Sequence, residues 1–326
     1  MSSTTPAAPL QAPGDTPRRH GIPRGLRRTG PALLSYGFRP FFLGAGVFAV
    51  VAMVLWITAL TSGLPLGGDY GMVAWHGHEM LFGFASAVVA GFLMTAIPNW
   101  TGQMPLSGPP LAALALLWLA GRLAMLGAPW IGVTAAVAID ALFLPVLVAV
   151  CARELIAGRK YKDMKVLVVI SVIALANLGY HAEVILTGSG QIAERAALAG
   201  YVTLVMVIGG RIIPSFTRNW LAMRRAKRLP VAFNRQDGIA IGAVIVALLV
   251  WVVAPVGIPA AVASVAGAGV VLWRLLRWRG VTTWPEPLLL VLHIAFGFFV
   301  LGFLSLAAGA VGWLPPAMAG LVIGAL

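Results

Sequence analysis

The chain has 326 residues, of which 60% are hydrophobic and only 10% are charged. A water-soluble protein carries roughly 25% charged residues, so this composition excludes an ordinary soluble domain. Long, repeated apolar runs indicate membrane-spanning helices and not a transmembrane barrel. The net charge of +13 argues little for nucleic-acid binding, because the basic residues gather in a few loops, as topology signals do.

The predicted elements begin with a tail. Residues 1–37 are rich in Pro, Ala, Gly and Arg without apolar periodicity, which predicts a disordered, basic cytoplasmic tail. Residues 38–326 are predicted to form an all-α polytopic membrane domain with nine complete transmembrane helices. These predicted spans are residues 40–61, 71–98, 111–127, 130–152, 164–186, 193–214, 238–253, 258–273 and 287–312. A tenth apolar stretch starts near Ala317 and ends with the chain at Leu326, too short to cross a core of about 30 Å.

The basic residues predict the orientation of these spans. All but two of the 23 Lys and Arg residues lie in the tail or at every second junction between spans; the two exceptions are Arg122 and Arg195. The positive-inside rule therefore places the N-terminus in the cytoplasm. The first span then runs from the cytoplasm to the outside, and the later spans alternate.

Ionisable residues inside the predicted spans are the strongest functional signal. They are costly in hydrocarbon and rarely persist there without a partner or a role. The second span opens with Trp75-His76-Gly77-His78-Glu79-Met80, and with the predicted threading these groups lie near its outer end. Six side chains fall at about this depth: His76, His78, Glu79, Arg122, His181 and Glu183. We expect the three histidines among them to lie close enough to share a cofactor.

Histidine is the expected metal ligand of this chain. Cys151 is the only cysteine, which excludes an intrachain disulfide and any all-cysteine metal cluster. His76 and His78 stand about 200° apart around a regular helix, so a single ion would take ligands from different helices. Imidazole suits iron, copper and zinc, and axial histidines commonly hold haem iron. His20 lies in the tail, and we expect no role for it.

For several of these residues the sequence leaves two possible roles open. His293, in the inner half of the ninth span, is either a ligand of a second centre or a hydrogen-bond bridge between helices. His76 is either a ligand or a solvated interfacial residue beside Trp75. Glu79 either orients an imidazole or pairs with Arg122. Asp140, which the predicted boundaries place near mid-depth of the fourth span, is either a proton-relay group or a locally paired carboxylate.

A second polar set lies at the predicted cytoplasmic face and contains Arg39, Asn99 and Arg211. The simpler interpretation is capping of helix ends together with anchoring to lipid phosphates. The alternative is a site for an anionic group such as a haem propionate.

Four motifs together resemble the NnrS family over nearly the whole chain from Phe38 onward. They are Phe38-Arg39-Pro40-Phe41-Phe42, Trp75-His76-Gly77-His78-Glu79-Met80, Pro98-Asn99-Trp100-Thr101-Gly102 and Gly209-Gly210-Arg211-Ile212-Ile213-Pro214. The resemblance implies a multi-pass protein of the bacterial inner membrane that contains haem and copper. It also implies an association with nitric oxide metabolism, denitrification and nitrosative stress.

The resemblance also extends to individual positions of this chain. His76, His78, His181 and His293 match the family's histidines, and Arg39, Asn99 and Arg211 match its polar landmarks. It does not assign a particular metal to each histidine. The family has further spans, with another histidine, beyond the point where this chain stops, so we expect the chain to be a fragment.

Two functions from different classes follow from these patterns. The first is a haem/copper membrane protein that protects against nitrosative stress, either by metal chemistry on nitric oxide or by safeguarding other metalloenzymes. Glu79, Glu183 and Arg122 would then support the metal ligands. The alternative is a proton- or ion-coupled transporter that uses Glu79, Asp140 and Glu183. A membrane scaffold without chemistry fits poorly with so many buried ionisable groups.

Overall fold

The computed structural model describes residues 30–315 and 318–320, and the regular elements in this part of the chain are all helical. Nine helices there are long and apolar enough to cross a membrane, which confirms the predicted all-α class and number of spans. They are α1 (Phe38–Ser62), α2 (Met72–Thr101), α3 (Pro109–Leu126), α4 (Val133–Ala157), α5 (Tyr161–Thr187), α6 (Gln191–Met223), α7 (Arg235–Val253), α8 (Ile258–Arg277) and α9 (Pro287–Ala310).

Two predicted segments fall mainly outside the described residues. They are residues 1–29 of the predicted tail and most of the predicted tenth span beyond Ala317. At the end of the predicted tail, Ala32–Leu34 forms a short 3₁₀ helix, and the carbonyl of Leu34 accepts a hydrogen bond from the Gly108 amide just before α3.

The nine helices pack around two hydrophobic clusters that share α6. The first cluster contains residues of α1 to α5, and the second contains residues of α6 to α9. Along α6, Leu204 and Val207 belong to the first cluster, whereas Val202 and Met206 belong to the second. This 33-residue helix therefore joins the two halves of the bundle.

Helix α6 continues beyond Pro214, where the sequence predicted its end. A proline inside a helix leaves the carbonyl four residues earlier without its usual partner. Here that carbonyl belongs to Gly210, and the guanidinium of Arg274 on α8 donates to it at 3.5 Å. Arg274 also donates to the carbonyl of Met206 at 3.4 Å. A donor from another helix thus satisfies the backbone that proline disrupts, and α6 extends to Met223.

Helix α2 contains a π-helical segment, Glu79–Ala85, immediately after His78. Side chains of neighbouring helices donate to carbonyls in this segment: Trp118 Nε1 of α3 lies 2.9 Å from the Gly83 oxygen, and the Tyr201 hydroxyl of α6 lies 2.7 Å from the Leu81 oxygen. A switch to π-helix frees backbone groups from their usual partners, and within a membrane neighbouring helices must satisfy them. These bonds place α3 and α6 against α2 beside its buried polar residues.

Gly210→Ala should destabilise the protein, because a Cβ at this position would collide with the guanidinium of Arg274. Overpacking of this kind costs about 1–3 kcal/mol of unfolding free energy. Thermal unfolding of the purified protein in detergent measures the effect. Gly209→Ala is the matched control, since its Cβ would meet Val205 and Phe296 at 3.5 and 3.7 Å, which is ordinary contact. Equal unfolding midpoints for the two variants would contradict the role given to Arg274.

Candidate metal centre

A buried polar cluster lies near the ends of α2 to α5 on the side opposite the basic loops. Its members come from four helices and are His78, Glu79, Arg122, Asp140, Asn177 and His181. Each is at most 4% exposed. Buried ionisable groups must be paired and hydrogen-bonded, so the contacts within this cluster define its chemistry.

Asp140 is the centre of the cluster. Its Oδ2 atom lies 3.1 Å from His78 Nε2 and 3.0 Å from His181 Nε2. The same oxygen accepts a hydrogen bond from the Asn177 amide at 3.2 Å. The other oxygen, Oδ1, accepts from Nη2 of Arg122. One carboxylate therefore connects α3, α4 and α5 to the histidine of α2.

Glu79 makes both of the contacts that the sequence left as alternatives. Its Oε1 lies 3.0 Å from His78 Nδ1, and its Oε2 accepts a hydrogen bond from Arg122 Nη1 at 2.8 Å. Arg122 thus bridges Glu79 and Asp140. The guanidinium also lies 5.9 Å from the ring centroid of Phe48, which covers it from the side of α1.

The neighbours of His181 determine which ring nitrogen carries its proton. The Tyr70 hydroxyl lies 2.9 Å from His181 Nδ1. Burial raises the pKa of Tyr70, which lies in the connection before α2, so this hydroxyl remains protonated and donates. His181 then donates from Nε2 to Asp140 as a neutral imidazole. The assignment follows from the hydrogen-bond network.

His78 has oxygen atoms at both ring nitrogens. Nδ1 faces Glu79, while Nε2 faces the Asn177 carbonyl oxygen at 2.9 Å as well as Asp140. The Asn177 amide nitrogen is already engaged with Asp140, so this side chain is oriented with its oxygen toward His78. In a neutral His78 one of the two ring nitrogens has no proton, and its lone pair would face an oxygen lone pair, which is repulsive. The position between Nε2 and Asp140 therefore favours a proton or a cation.

The charges of the cluster lead to the same conclusion. Ionised Glu79 and Asp140 carry two negative charges, and Arg122 carries one positive charge. One further positive charge, from a protonated His78 or a monovalent ion such as Cu(I), would neutralise the cluster, whereas a divalent ion would leave one positive charge in excess. An uncompensated charge at such a buried position would be costly.

Three ligand atoms fit a single metal ion. One atom each from His78, Asp140 and His181 lies within 4.8 Å of the other two. Metal–ligand bonds of about 2.0–2.2 Å hold ligand atoms roughly 3.0–3.5 Å apart, close to the two distances measured at Asp140 Oδ2. With an ion on the two Nε2 atoms, each Nδ1 would carry the proton, and His78 would donate to Glu79 and His181 to the Tyr70 oxygen, as partners that orient metal-binding imidazoles do. Two imidazoles and a carboxylate suit copper, zinc or non-haem iron.

A haem does not fit between the same two histidines. Their ring centroids are only 4.5 Å apart, and Asp140 and Asn177 occupy the space beside their Nε2 atoms. A porphyrin held by both rings would have to displace these side chains. The spacing of the cluster is compatible with a single ion and not with a porphyrin.

Two residues that we expected at this depth lie outside the cluster. The partly buried ring of His76 stacks on Trp56 of α1, with centroids 4.2 Å apart and an interplanar angle of 11°. Glu183 accepts hydrogen bonds from the backbone amides of Ile192 and Ala193 at 3.0 and 3.3 Å. It therefore caps the start of α6 and stands apart from Glu79 and Asp140, with which the transporter alternative had grouped it.

His293 bridges two helices on the basic side of the bundle. Its Nδ1 donates to the Leu289 carbonyl at 2.9 Å, and its Nε2 lies 3.3 Å from the Thr217 hydroxyl of α6. Gly280 packs against the edge of the ring, where a Cβ would collide. These contacts match the hydrogen-bond interpretation, and the ligand role of His293 stays a prediction.

The predicted cytoplasmic polar set contacts separate loops. Arg39 donates to the Ala32 carbonyl at 2.7 Å, and Arg211 forms an ion pair with Asp163 at 3.4 Å. Asn99 is exposed and lines an open cavity of about 280 Å³ together with Tyr36. These contacts are of the helix-end type, and the haem-propionate role of these residues stays a prediction.

Sequence reasoning did not assign Asp140, Asn177 or Tyr70 to the metal centre. Asn177 shares a helical face with His181, which was a usable signal. Asp140 was placed too deep, because α4 begins at Val133, later than predicted, and its first segment ends at Asp140 itself. Tyr70 lies in a connection between spans, where the spacing of residues carries no information about contacts.

Comparison with known proteins identifies a family. The model of the NnrS protein family matches residues 32–326, which include every described member of the cluster. Searches of curated proteins and of solved structures gave no significant match.

Arg122→Met should strongly destabilise the protein, because it leaves Glu79 and Asp140 without their shared counter-charge. Removing one partner of a buried ion pair costs about 3–5 kcal/mol of unfolding free energy. Arg153→Met is the control, since Arg153 pairs with Glu154 while its side chain is 62% exposed, and such pairs contribute about 1 kcal/mol or less. Thermal unfolding in detergent compares the two variants. Similar losses in both would contradict the central role of Arg122.

Proposed function

Because the chain belongs to the NnrS family, we propose that it is a metal-binding membrane protein that acts in nitric oxide metabolism and in resistance to nitrosative stress. The observation that supports this most directly is the convergence of His78 Nε2 and His181 Nε2 on Asp140 Oδ2 at 3.1 and 3.0 Å in a buried site. We further propose the bacterial inner membrane as its location, with the basic loops facing the cytoplasm.

We propose copper as the ion of this centre, with His78, His181 and Asp140 as ligands. Copper would supply a redox-active centre able to bind nitric oxide. Glu79 and Tyr70 would hold the two imidazoles by their Nδ1 atoms, and Arg122 would fix the carboxylates that face them. A rigid, preorganised set of ligands of this kind lowers the cost of binding.

The surroundings of the cluster suit a small, weakly polar ligand such as nitric oxide. The rings of Phe82 and Tyr180 lie 5.3 and 5.9 Å from the ring of His78 and separate it from bulk water. Both aromatic side chains come from helices that also carry cluster residues. Nitric oxide can approach through the lipid, whereas ions and large polar molecules are kept out by the apolar packing.

For haem, which the family resemblance implies, we propose His293 as the ligand. Its Nδ1 donates to the Leu289 carbonyl, an arrangement that directs the Nε2 lone pair outward from its own helix. Thr217 stands at that nitrogen and would have to move for a haem to bind. The two centres would then lie on opposite sides of the bundle and could be tested separately.

The copper proposal is tested by elemental analysis of protein purified from copper-supplied membranes. We expect roughly one copper per chain for the wild type, and loss of most of it in His78→Ala and Asp140→Asn, since each removes one of three proposed ligands. His76→Ala is the matched control and should keep its copper, because His76 stacks on Trp56 away from the cluster. Equal copper in all variants would refute the assignment.

The haem proposal is tested separately, by optical spectroscopy of the purified protein. The optical spectrum of the purified wild type should show a Soret band, and His293→Ala should lose it while keeping its copper. His76→Ala again serves as the control, with both spectrum and copper unchanged. A Soret band that survives His293→Ala but disappears in His78→Ala would reverse the assignment of the two centres.

A further inference from the structure

The end of α8 on the basic side carries more arginine than its carboxylates neutralise. Arg274 and Arg277 both reach Oδ1 of Asp237, at 3.4 and 3.6 Å. The other oxygen of Asp237 accepts from the Asn234 amide in the capping box of α7. Among the described residues, Arg279 has no carboxylate within ion-pair distance. This group is therefore positively charged as a whole.

Two of these arginines have buried donors without partners. Nη1 of Arg277 and Nε of Arg279 are both inaccessible to solvent and form no hydrogen bond with another described residue. The 3.6 Å separation between Arg277 and Asp237 is an ion pair without a hydrogen bond. Nη1 of Arg277 is thus held by its charge pair with Asp237, whereas Nε of Arg279 has no acceptor among the described residues. Buried guanidinium donors are normally satisfied, so Arg279 indicates a missing acceptor.

The backbone at Arg279 fixes the position of this arginine at the end of α8. Arg279 has a φ of +58°, in the left-handed region that residues other than glycine rarely adopt. This conformation ends α8 and starts the turn Gly280–Thr283, where the Thr282 amide and hydroxyl both bond to the Arg279 carbonyl. Arg159 and Arg225 adopt the same conformation just past the ends of their helices, so it serves to end the helix.

Large apolar side chains surround the arginines. Trp284 and Val281 are 76% and 87% exposed, and exposed Trp273 stacks under the guanidinium of Arg277, 4.5 Å from its ring centroid. Exposed tryptophans beside arginines mark the level where lipid headgroups meet hydrocarbon. An occupant of this site would therefore place an anionic group on the arginines and acyl chains along the apolar residues.

We propose that Arg277 and Arg279 bind the phosphate of an anionic phospholipid on the basic side of the bundle. A phosphate oxygen accepts several hydrogen bonds at once and matches the planar donors of arginine. The site lies at the end of α8 and does not include any residue of the metal centre. A lipid bound there would anchor the end of α8 and the turn before α9 at the level of the lipid headgroups.

The test is a titration of the detergent-purified full chain with phosphatidylglycerol and with phosphatidylcholine, followed by native mass spectrometry of the first bound lipid. We expect the wild type to bind phosphatidylglycerol roughly thirtyfold more tightly, as two arginines at the membrane surface would give. Arg279→Gln should remove most of this preference. Absence of the preference in the wild type would overturn the proposal.

Arg225→Gln is the matched control. Arg225 also has a left-handed backbone, with a φ of +54°, and lies in the basic loop after α6, but it is exposed. It should keep the full preference for phosphatidylglycerol, and equal losses in Arg225→Gln and Arg279→Gln would overturn the proposal. Arg277→Lys is a second variant, which keeps a charge opposite Asp237 but lacks the planar fork, and it should bind phosphatidylglycerol more weakly.

Inorganic phosphate provides the remaining arm of the experiment. With phosphatidylcholine as the only lipid, we expect no binding of millimolar phosphate that depends on Arg279. In a second sample that contains phosphatidylglycerol, we expect the same phosphate not to displace that lipid. Binding of free phosphate that Arg279→Gln abolishes would identify a site for a soluble anion and would overturn the assignment to lipid.

Discussion

The ion pairs of Arg122 with Glu79 and Asp140 are the interaction on which the rest of the cluster depends. Two carboxylates inside a membrane protein are tolerated only with a counter-charge and full hydrogen bonding. Because the three groups lie on α2, α3 and α4, their pairing fixes how these helices are rotated and how far they slide past one another. His78 of α2 then lies at Asp140 of α4, and α5 reaches the same carboxylate through Asn177 and His181.

Local departures from regular helix make this meeting possible. The π-helical segment of α2 begins at Glu79, and the first part of α4 ends at Asp140, so two of the charged residues lie at irregularities of the backbone. At Gly121 a Cβ would stand 2.8 Å from Asp140 Oδ1, so glycine there gives the carboxylate room. Functional sites in helical proteins often lie at such irregularities.

The two polar regions of the bundle have opposite electrostatic requirements. The buried cluster has one more carboxylate than arginine and favours a cation, which agrees with a proposed metal centre. The end of α8 has more arginine than carboxylate and favours an anion, which agrees with a proposed lipid site. Helix α6 contributes residues to the hydrophobic clusters of both halves of the bundle.

The sequence by itself determined the membrane-spanning class, the number of spans, the family, and the common depth of His78, Glu79, Arg122 and His181. Each of these depends on composition, hydrophobic length or position along a span, which the chain order encodes directly. The tertiary structure decided which groups at that depth meet, because rotation about a helix axis depends on neighbouring helices. In that structure Asp140 and Asn177 join the buried polar cluster, whereas the ring of His76 stacks on Trp56. It also extended α6 past Pro214, since the donor that replaces the lost backbone bond comes from Arg274, distant in sequence.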